Sequence, residues 1–365
     1  MPFLNDLKKE YMSFDAHSIA SATNFSMSGM FTGTVPLEIE NTWHITEKKE
    51  PVYLPKKLNK FYTQYITSNV VTCRKFGFDK GFDYFEDFLK ERPQVGANRQ
   101  KLTRFAAFMG NKLRKTIFYN SARKAYFYLQ EFLGNNPNLN LGLKIRFKSV
   151  NDAFFNSLKK IPAGKDSFTA LHFIDSHTPY LSYKIKDKNI IKEAKRLTKE
   201  LYGDKGDDGE FKTFSEKDIT FLKERYDEEA KDTDEQLKEM VDKLKQLNKW
   251  DETLLIITAD HGEAFGETGY MKHPLGEVSN LNHIRVPFII AGGLAKDLDI
   301  KKANNGLIWN KDIYDIILGV ADGQKQIQLK ENDFVRGVRK KNTVFYIHAL
   351  YDPVKKEIIN PVPPA

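Results

Sequence analysis

Leu254-Leu255-Ile256-Ile257-Thr258-Ala259-Asp260-His261-Gly262-Glu263 is the stretch whose reading sets the fold class of this chain. Its first half is a short apolar run with polar flanks, which reads as a buried strand. Its second half puts an adjacent Asp-His pair at the strand's C-terminal end, where open α/β sheets place their chemistry. Asp260 offers a hard oxygen and neutral His261 a nitrogen, so the pair suits a borderline divalent metal. A glycine-rich segment, Gly266-Glu267-Thr268-Gly269, follows. An Asp-His pair on a turn is also common as a solvated loop, so the pair gains meaning only from the segments around it.

Upstream, Ser215 with Asp218 three residues on has the form of a capping box opening a long helix. Helical spacing continues through Leu222, Tyr226 and Ala230 to Leu237, Met240, Val241, Leu244 and Leu247. Asp234–Lys238 and Glu239–Lys243 are acid-before-base pairs four apart, expected on the exposed face. The helix ends near Asn248-Lys249-Trp250 and feeds the 254–258 strand. Further strands are expected at 168–174, 286–290 and 64–68. Strands alternating with helices argue for an α/β sandwich with a largely parallel sheet. Segments 333–338 and 342–347 read as a late antiparallel hairpin, with a frayed tail at Pro361-Val362-Pro363-Pro364. Gly203-Asp204-Lys205-Gly206-Asp207-Asp208-Gly209 fails as a calcium loop, because the third and twelfth positions are Gly206 and Ser215 rather than ligands.

The 365 residues suffice for one large α/β domain or two small ones, and 41% hydrophobic with 29% charged residues fits an ordinary globular core. No run of about eighteen apolar residues is present, so no membrane span is expected. The N-terminal sequence lacks a signal peptide's apolar centre. With a single cysteine, Cys73, this favours a reducing, cytoplasmic location. A net charge of +8 favours anionic partners only weakly. The densest basic stretch runs from Arg99 to Lys124 and is interleaved with Phe105, Phe108, Phe118 and Tyr119. It reads as the wet side of two amphipathic helices rather than a polyanion grip. No nucleic-acid partner is expected, and a membrane surface is a minor alternative.

Three further segments converge on the Asp260-His261 pair. The block from Thr23 to Thr32-Gly33 is lined with small hydroxyl residues, as expected where a nucleophile starts a helix whose N-terminus favours an anion. A threonine hydroxyl needs a metal or a base beside it to attack at neutral pH. Lys272-His273-Pro274 places a cation and an imidazole for the oxygens of a transferring group, and His177 is a further donor to them. Taken singly, Thr23 is one hydroxyl among many, His177 a turn histidine and Lys272 a solvated cation. His17, His44, His172, His283 and His348 are assigned structural places.

The order of these segments resembles the sulfatase branch of the alkaline phosphatase superfamily over nearly the whole length. The resemblance includes Met1-Pro2-Phe3-Leu4-Asn5-Asp6-Leu7, the Thr23-to-Gly33 block and Gly77-Phe78-Asp79-Lys80-Gly81-Phe82-Asp83. It extends to Asp175-Ser176-His177-Thr178-Pro179-Tyr180, and to the run from Tyr226 through Asp260-His261-Gly262-Glu263 to Ile284-Arg285-Val286-Pro287. It implies a three-layer α/β sandwich with a mostly parallel central sheet flanked by helices, as one domain over residues 1–365 with a hairpin and tail from about 325. It places Thr23 at the nucleophile position and Asp260 and His261 at metal-ligand positions. It places His273 where the transferring group or a second metal is contacted, and Lys272 and His177 at substrate-binding positions. The implied activity is metal-dependent hydrolysis or transfer on sulfate or phosphate esters. A divalent cation (Ca, Mg, Mn or Zn) would serve it, and the substrate would be a small anionic ester or a sulfated or phosphorylated glycan or lipid.

Two departures from the family pattern matter. Cys or Ser at the nucleophile position is what sulfatases convert to formylglycine, and Thr23 cannot be converted so; Met27 also replaces the usual Arg. This shifts the expectation toward phosphate esters. The family's N-terminal strand, apolar and ending in acid, is also missing before Thr23, since Asp6 and Asp15 lie on helix-like or loop-like sequence. The alternative is therefore an impaired homologue that binds an anion without turnover.

Overall fold

The structure is a computed structural model that describes residues 1–34, 53–88, 146–202, 214–267, 271–273, 281–301, 308–330, 350–352 and 357–359. The chain divides into two compact units. The first comprises Met1–Asp87, Phe147–Phe173 and Lys231–Ala365; the second comprises Phe88–Arg146 and Ile174–Ala230.

In chain order the first unit opens with α1 (Pro2–Glu10), β1 (Met12–Ser13), β2 (Ala16–His17), α2 (Thr23–Thr32) and α3 (Leu54–Lys57). It continues with β3 (Tyr62–Thr67), β4 (Tyr84–Glu86), α4 (Phe147–Ser157) and β5 (Ser167–His172). The second unit contributes α5 (Lys188–Tyr202) and the start of α6 (Glu216–Gln246), whose C-terminal part belongs to the first unit. Then follow β6 (Leu255–Thr258), β7 (Ala264–Phe265), β8 (Met271–Lys272), β9 (Arg285–Val286) and β10 (Phe288–Ala291). The last elements are β11 (Asp299–Lys301), β12 (Ile308–Trp309), α7 (Ile313–Ala321), β13 (Gln326–Gln328), β14 (Leu350–Asp352) and β15 (Glu357–Ile359).

β10 is buried along its whole length and lies between β1 and β6, antiparallel to both. Phe288 pairs with Thr258, so the entry to β10 sits beside the exit of β6, where Asp260 and His261 begin. β3 is the centre of an all-parallel sheet, with β4 on one side and β5 on the other. β2 runs parallel to β12 and antiparallel to β9. The expected strand at 286–290 is two strands in different sheets, β9 beside β2 and β10 beside β6. Pro287 accounts for the break, because it has no N–H to donate to a ladder. Two short strands, β1 and β2, precede Thr23, and neither ends in an acid; Asp15 between them is exposed and pairs with Arg285 at 3.6 Å.

α2 is buried on every side, from Thr23 to Thr32. Its small residues allow this, since an all-round buried helix can carry no charged face. It ends at Gly33, whose φ of 66° is left-handed; a side chain there would also meet the Tyr314 ring on α7 at 2.7 Å. Met27, Met30 and Phe31 of α2 join Tyr53, Leu54, Tyr65, Phe78, Phe288, Ile290 and Ile316 in the core.

α6 begins as its sequence indicates. Ser215 Oγ accepts from Asp218 N at 3.2 Å, and Asp218 Oδ2 accepts from Ser215 N at 3.3 Å. The pairs expected on its exposed face are different. Asp234 is buried and accepts from Phe3 N and Leu4 N, both at 2.9 Å, capping α1 from more than 200 residues away. Lys238 pairs with Asp242 instead, at 2.5 Å, and Lys243 lies 4.2 Å from the Phe155 ring centroid. In the second unit Arg146 bonds both carboxylate oxygens of buried Glu229, at 2.9 and 3.2 Å, and the Leu181 carbonyl at 2.8 Å. The segments 99–124, 203–209, 333–338 and 342–347 lie outside the described residues, while β14 and β15 form an antiparallel pair.

Asp234→Ala is expected to lower the unfolding free energy by about 2 kcal/mol in urea titrations, because two buried N–H groups lose a charged acceptor. Lys238→Ala on the exposed face is expected to stay within about 0.5 kcal/mol of the parent.

Candidate active site

Thr23 is the first residue of α2 and is buried, with its hydroxyl at the helix's positive end. Its Oγ1 lies 3.3 Å from His261 Nε2. β6 ends at Thr258, and the chain turns through Ala259 to deliver Asp260 and His261. Asp260 Oδ2 is 3.5 Å from His261 Nε2 and 3.8 Å from His172 Nε2. His261 Nδ1 is 2.8 Å from the Gly262 carbonyl oxygen, which can only accept. Nδ1 therefore carries the hydrogen, and the Nε2 lone pair faces Thr23 and Asp260. Gly262 is itself clamped: its N–H donates to His283 O at 2.9 Å. A side chain at Gly262 would strike the Asn282 carbonyl.

His273 follows β8, and its Nδ1 is 3.1 Å from Glu263 Oε1. The rings of His261 and His273 lie 4.0 Å apart between centroids. His172 closes the cluster at the end of β5, with Nδ1 3.3 Å from both Tyr65 Oη and Thr72 Oγ1. Burial pushes the Asp260 carboxyl up, but His261, His172 and the Thr23 hydroxyl outweigh it and hold the group well below the ordinary carboxylate range. Burial, only partly offset by Asp260, holds the His261 and His172 imidazoles below their usual value, so both are neutral at pH 7.

The structure thus gathers Thr23, Asp260, His261 and His273 in the first unit. It adds His172, which the sequence reading left as structural, and gives Glu263 a role as partner of His273. His172 stands at a strand's C-terminal end just as Asp260 does, and that was the signal available. Lys272 pairs with Ala264 in the β7–β8 ladder, and its side chain lies outside the described residues. His177 belongs to the second unit, where its Nδ1 is 2.8 Å from Thr178 O. His17 and His283 are buried; His44 and His348 lie outside the described residues.

A sequence model of the sulfatase family matches residues 1–323. The chain belongs to the sulfatase family. Comparison with curated proteins gives no match. Among solved structures, this sulfatase-family chain is similar to the C-terminal periplasmic domain of EptC from Escherichia coli in complex with Zn. That match has 14% identity and a TM-score of 0.56, and covers 97% of this chain and 85% of the other. It is similar to the phosphonate monoester hydrolase of Agrobacterium radiobacter at 12% identity and TM-score 0.53, covering 88% and 68%. It is also similar to the C-terminal periplasmic domain of the phosphoethanolamine transferase EptC from Campylobacter jejuni, at 17% identity and TM-score 0.50, covering 87% and 80%. The fold is accordingly α/β of the alkaline-phosphatase type. The family supports an enzyme acting on a sulfate or phosphate ester. The cytoplasmic location expected from the sequence is corrected by the same finding, since both EptC domains are periplasmic. Among the described residues no helix is long and apolar enough to cross a membrane.

The family and the zinc-bound neighbour suggest a divalent metal, and the donor set fits one. Ligand bonds of about 2.0–2.2 Å around a tetrahedral ion put neighbouring donors about 3.3–3.5 Å apart. The Thr23–His261 and Asp260–His261 separations are 3.3 and 3.5 Å. Among the described residues no group of three or more His, Cys, Asp or Glu is arranged to hold a metal, so this set draws on the Thr23 hydroxyl. Protons compete with a metal for His261, and burial weakens the proton's hold. Zinc uptake, followed by equilibrium dialysis across pH, is therefore expected to persist below the usual imidazole value of 6.5. Loss of uptake already above that value would contradict the environment described for His261.

Proposed function

We propose that this chain is a metal-dependent hydrolase or transferase of phosphate or sulfate esters that uses Thr23 as its nucleophile. The supporting observation is the Thr23 hydroxyl at the start of α2, 3.3 Å from His261 Nε2 and among the groups that hold the Asp260 carboxyl low. A divalent cation held by Asp260, His261 and Thr23 would lower the hydroxyl's pKa and screen the anionic ester. Thr23 Oγ1 forms a bond to the phosphorus or sulfur, the bond to the alcohol oxygen breaks, and the hydroxyl proton goes to solvent. His273, with Glu263 holding its Nδ1–H, gives the departing alcohol a proton from Nε2. Water, or an acceptor alcohol, then attacks the Thr23 ester, its proton returns to His273, and the Thr23 oxygen is released and takes a proton back from solvent. The α2 N-terminus favours the anion throughout.

Thr23 supports phosphoryl over sulfuryl chemistry, because it cannot become a formylglycine. An extracytoplasmic phosphoryl-bearing ester fits the neighbours named above, which include a phosphoethanolamine transferase and a phosphonate monoester hydrolase. A second reading, an anion-binding homologue without turnover, draws on one observation: the described metal donors include a single carboxylate, Asp260.

Thr23→Ala is expected to reduce turnover of p-nitrophenyl phosphate, p-nitrophenyl phenylphosphonate or p-nitrophenyl sulfate by at least about 1,000-fold. The parent, quenched during turnover, is expected to carry the transferred group on the Thr23 peptide by mass spectrometry. Undiminished turnover by Thr23→Ala rejects the nucleophile; a parent that binds anion and metal but turns over no ester supports the second reading.

A further inference from the structure

One buried side chain that touches several segments around Thr23 lies outside the strands that carry the site. Asn310 opens the 3₁₀ turn Asn310–Asp312 after β12 and is fully buried. Its amide Nδ2 faces Ser26 Oγ at 2.7 Å, Ser18 Oγ at 3.1 Å, Asp260 O at 3.1 Å and Ala259 O at 3.4 Å. Its Oδ1 accepts from Ile19 N at 3.1 Å. Ser18 Oγ also lies within hydrogen-bond reach of the Ala20 and Asp260 carbonyls, which only accept, so its hydrogen serves them and its lone pairs face the Asn310 amide. Ser26 is one helical turn beyond Thr23 on α2, and Asp260 supplies the carboxylate of the proposed metal pair. A single planar amide thus spans the segment entering α2, the first turn of α2 and the end of β6. The turn that presents it is fixed in its own right: Trp309 N donates to Asp312 Oδ2 at 2.9 Å, and Lys311 Nζ to Asp312 Oδ1 at 2.9 Å.

Resting on the Thr23 reading above, we infer that Asn310 is a positioning residue that sets the spacing between the Thr23 hydroxyl and the Asp260–His261 pair. The chemistry of the amide explains why an Asn stands there. Both N–H bonds point at oxygens of the two segments to be joined, while the carbonyl takes the Ile19 N–H of the third. An aliphatic residue would leave buried backbone carbonyls and hydroxyls to rearrange, and a carboxylate would repel the Asp260 and Ala259 carbonyl oxygens. Second-layer hydrogen bonds of this kind orient metal ligands and reacting groups without touching them.

The test compares Asn310→Ala, Asn310→Ser and Asp312→Asn with the parent and with Thr23→Ala. Turnover is read with the three p-nitrophenyl esters, metal affinity with Zn²⁺ by isothermal calorimetry, and stability by thermal melts. Asn310→Ala is expected to lower kcat about 100-fold with KM little changed, and to weaken Zn²⁺ binding about 10-fold or more. Asn310→Ser, which keeps one donor, is expected to recover part of both. Asp312→Asn disturbs the bonds that fix the same turn but keeps the Asn310 amide. It is expected to lower the melting temperature while leaving kcat and Zn²⁺ affinity near the parent. Parent-like kcat and Zn²⁺ affinity in Asn310→Ala would overturn the inference, as would losses in Asp312→Asn equal to those in Asn310→Ala. Should Thr23→Ala keep full turnover, the nucleophile reading falls by itself, and the Zn²⁺ affinities of the Asn310 variants still decide whether Asn310 positions the pair.

Discussion

The 3.3 Å approach of Thr23 Oγ1 to His261 Nε2 joins positions 238 residues apart and governs the rest of the site. Holding it requires a carboxylate, three imidazoles and a hydroxyl to leave bulk water together, which is costly unless each finds a partner. The fold supplies those partners locally. Gly262 O takes the His261 Nδ1 hydrogen, Tyr65 and Thr72 take up His172, and Glu263 takes up His273. Asp260 is left as an anion among neutral rings, with its oxygens directed at the Thr23 and His261 side. A divalent cation would complete this arrangement, because it meets the carboxylate with charge and the imidazole with a lone-pair acceptor. The backbone around the pair is equally constrained, since Gly262 abuts the Asn282 carbonyl and admits no side chain.

What the sequence disclosed followed local rules. The apolar run before Asp260 became β6, the capping box at Ser215 and Asp218 opened α6, and the segments near residues 64 and 168 became β3 and β5. The errors came where distant partners outrank neighbours. Asp234 has a lysine four residues on, yet it serves the N-terminus of α1, because two buried N–H groups need an acceptor more than an exposed ammonium needs a carboxylate. Pro287 divides what hydrophobicity alone joins. That His172 stands beside Asp260 was legible only as far as both lie at the ends of strands. The place of Asn310 was not legible: nothing in Ile308-Trp309-Asn310-Lys311-Asp312 reveals that an amide there will meet Ser18, Ser26 and Asp260.

The cytoplasmic setting expected from the sequence is set aside, because the EptC domains to which this chain is similar are periplasmic. The proposed nucleophile, Thr23, narrows the chemistry further. A threonine bears a methyl group on Cβ and cannot be oxidised to the aldehyde that sulfatases use, so an alkoxide-type attack is what remains available to it. A hydroxyl at a helix N-terminus, beside one carboxylate and one imidazole, suits a tetrahedral phosphoryl centre whose charge is shared between cation and helix.

The central claim is that Thr23, Asp260 and His261 share one cation. Diffraction from zinc-soaked crystals, collected on both sides of the zinc absorption edge, measures this directly. The account predicts an anomalous peak within about 2.0–2.2 Å of Asp260 Oδ2, His261 Nε2 and Thr23 Oγ1. A zinc peak elsewhere, with the Thr23 hydroxyl turned away from Asp260 and His261, would contradict it.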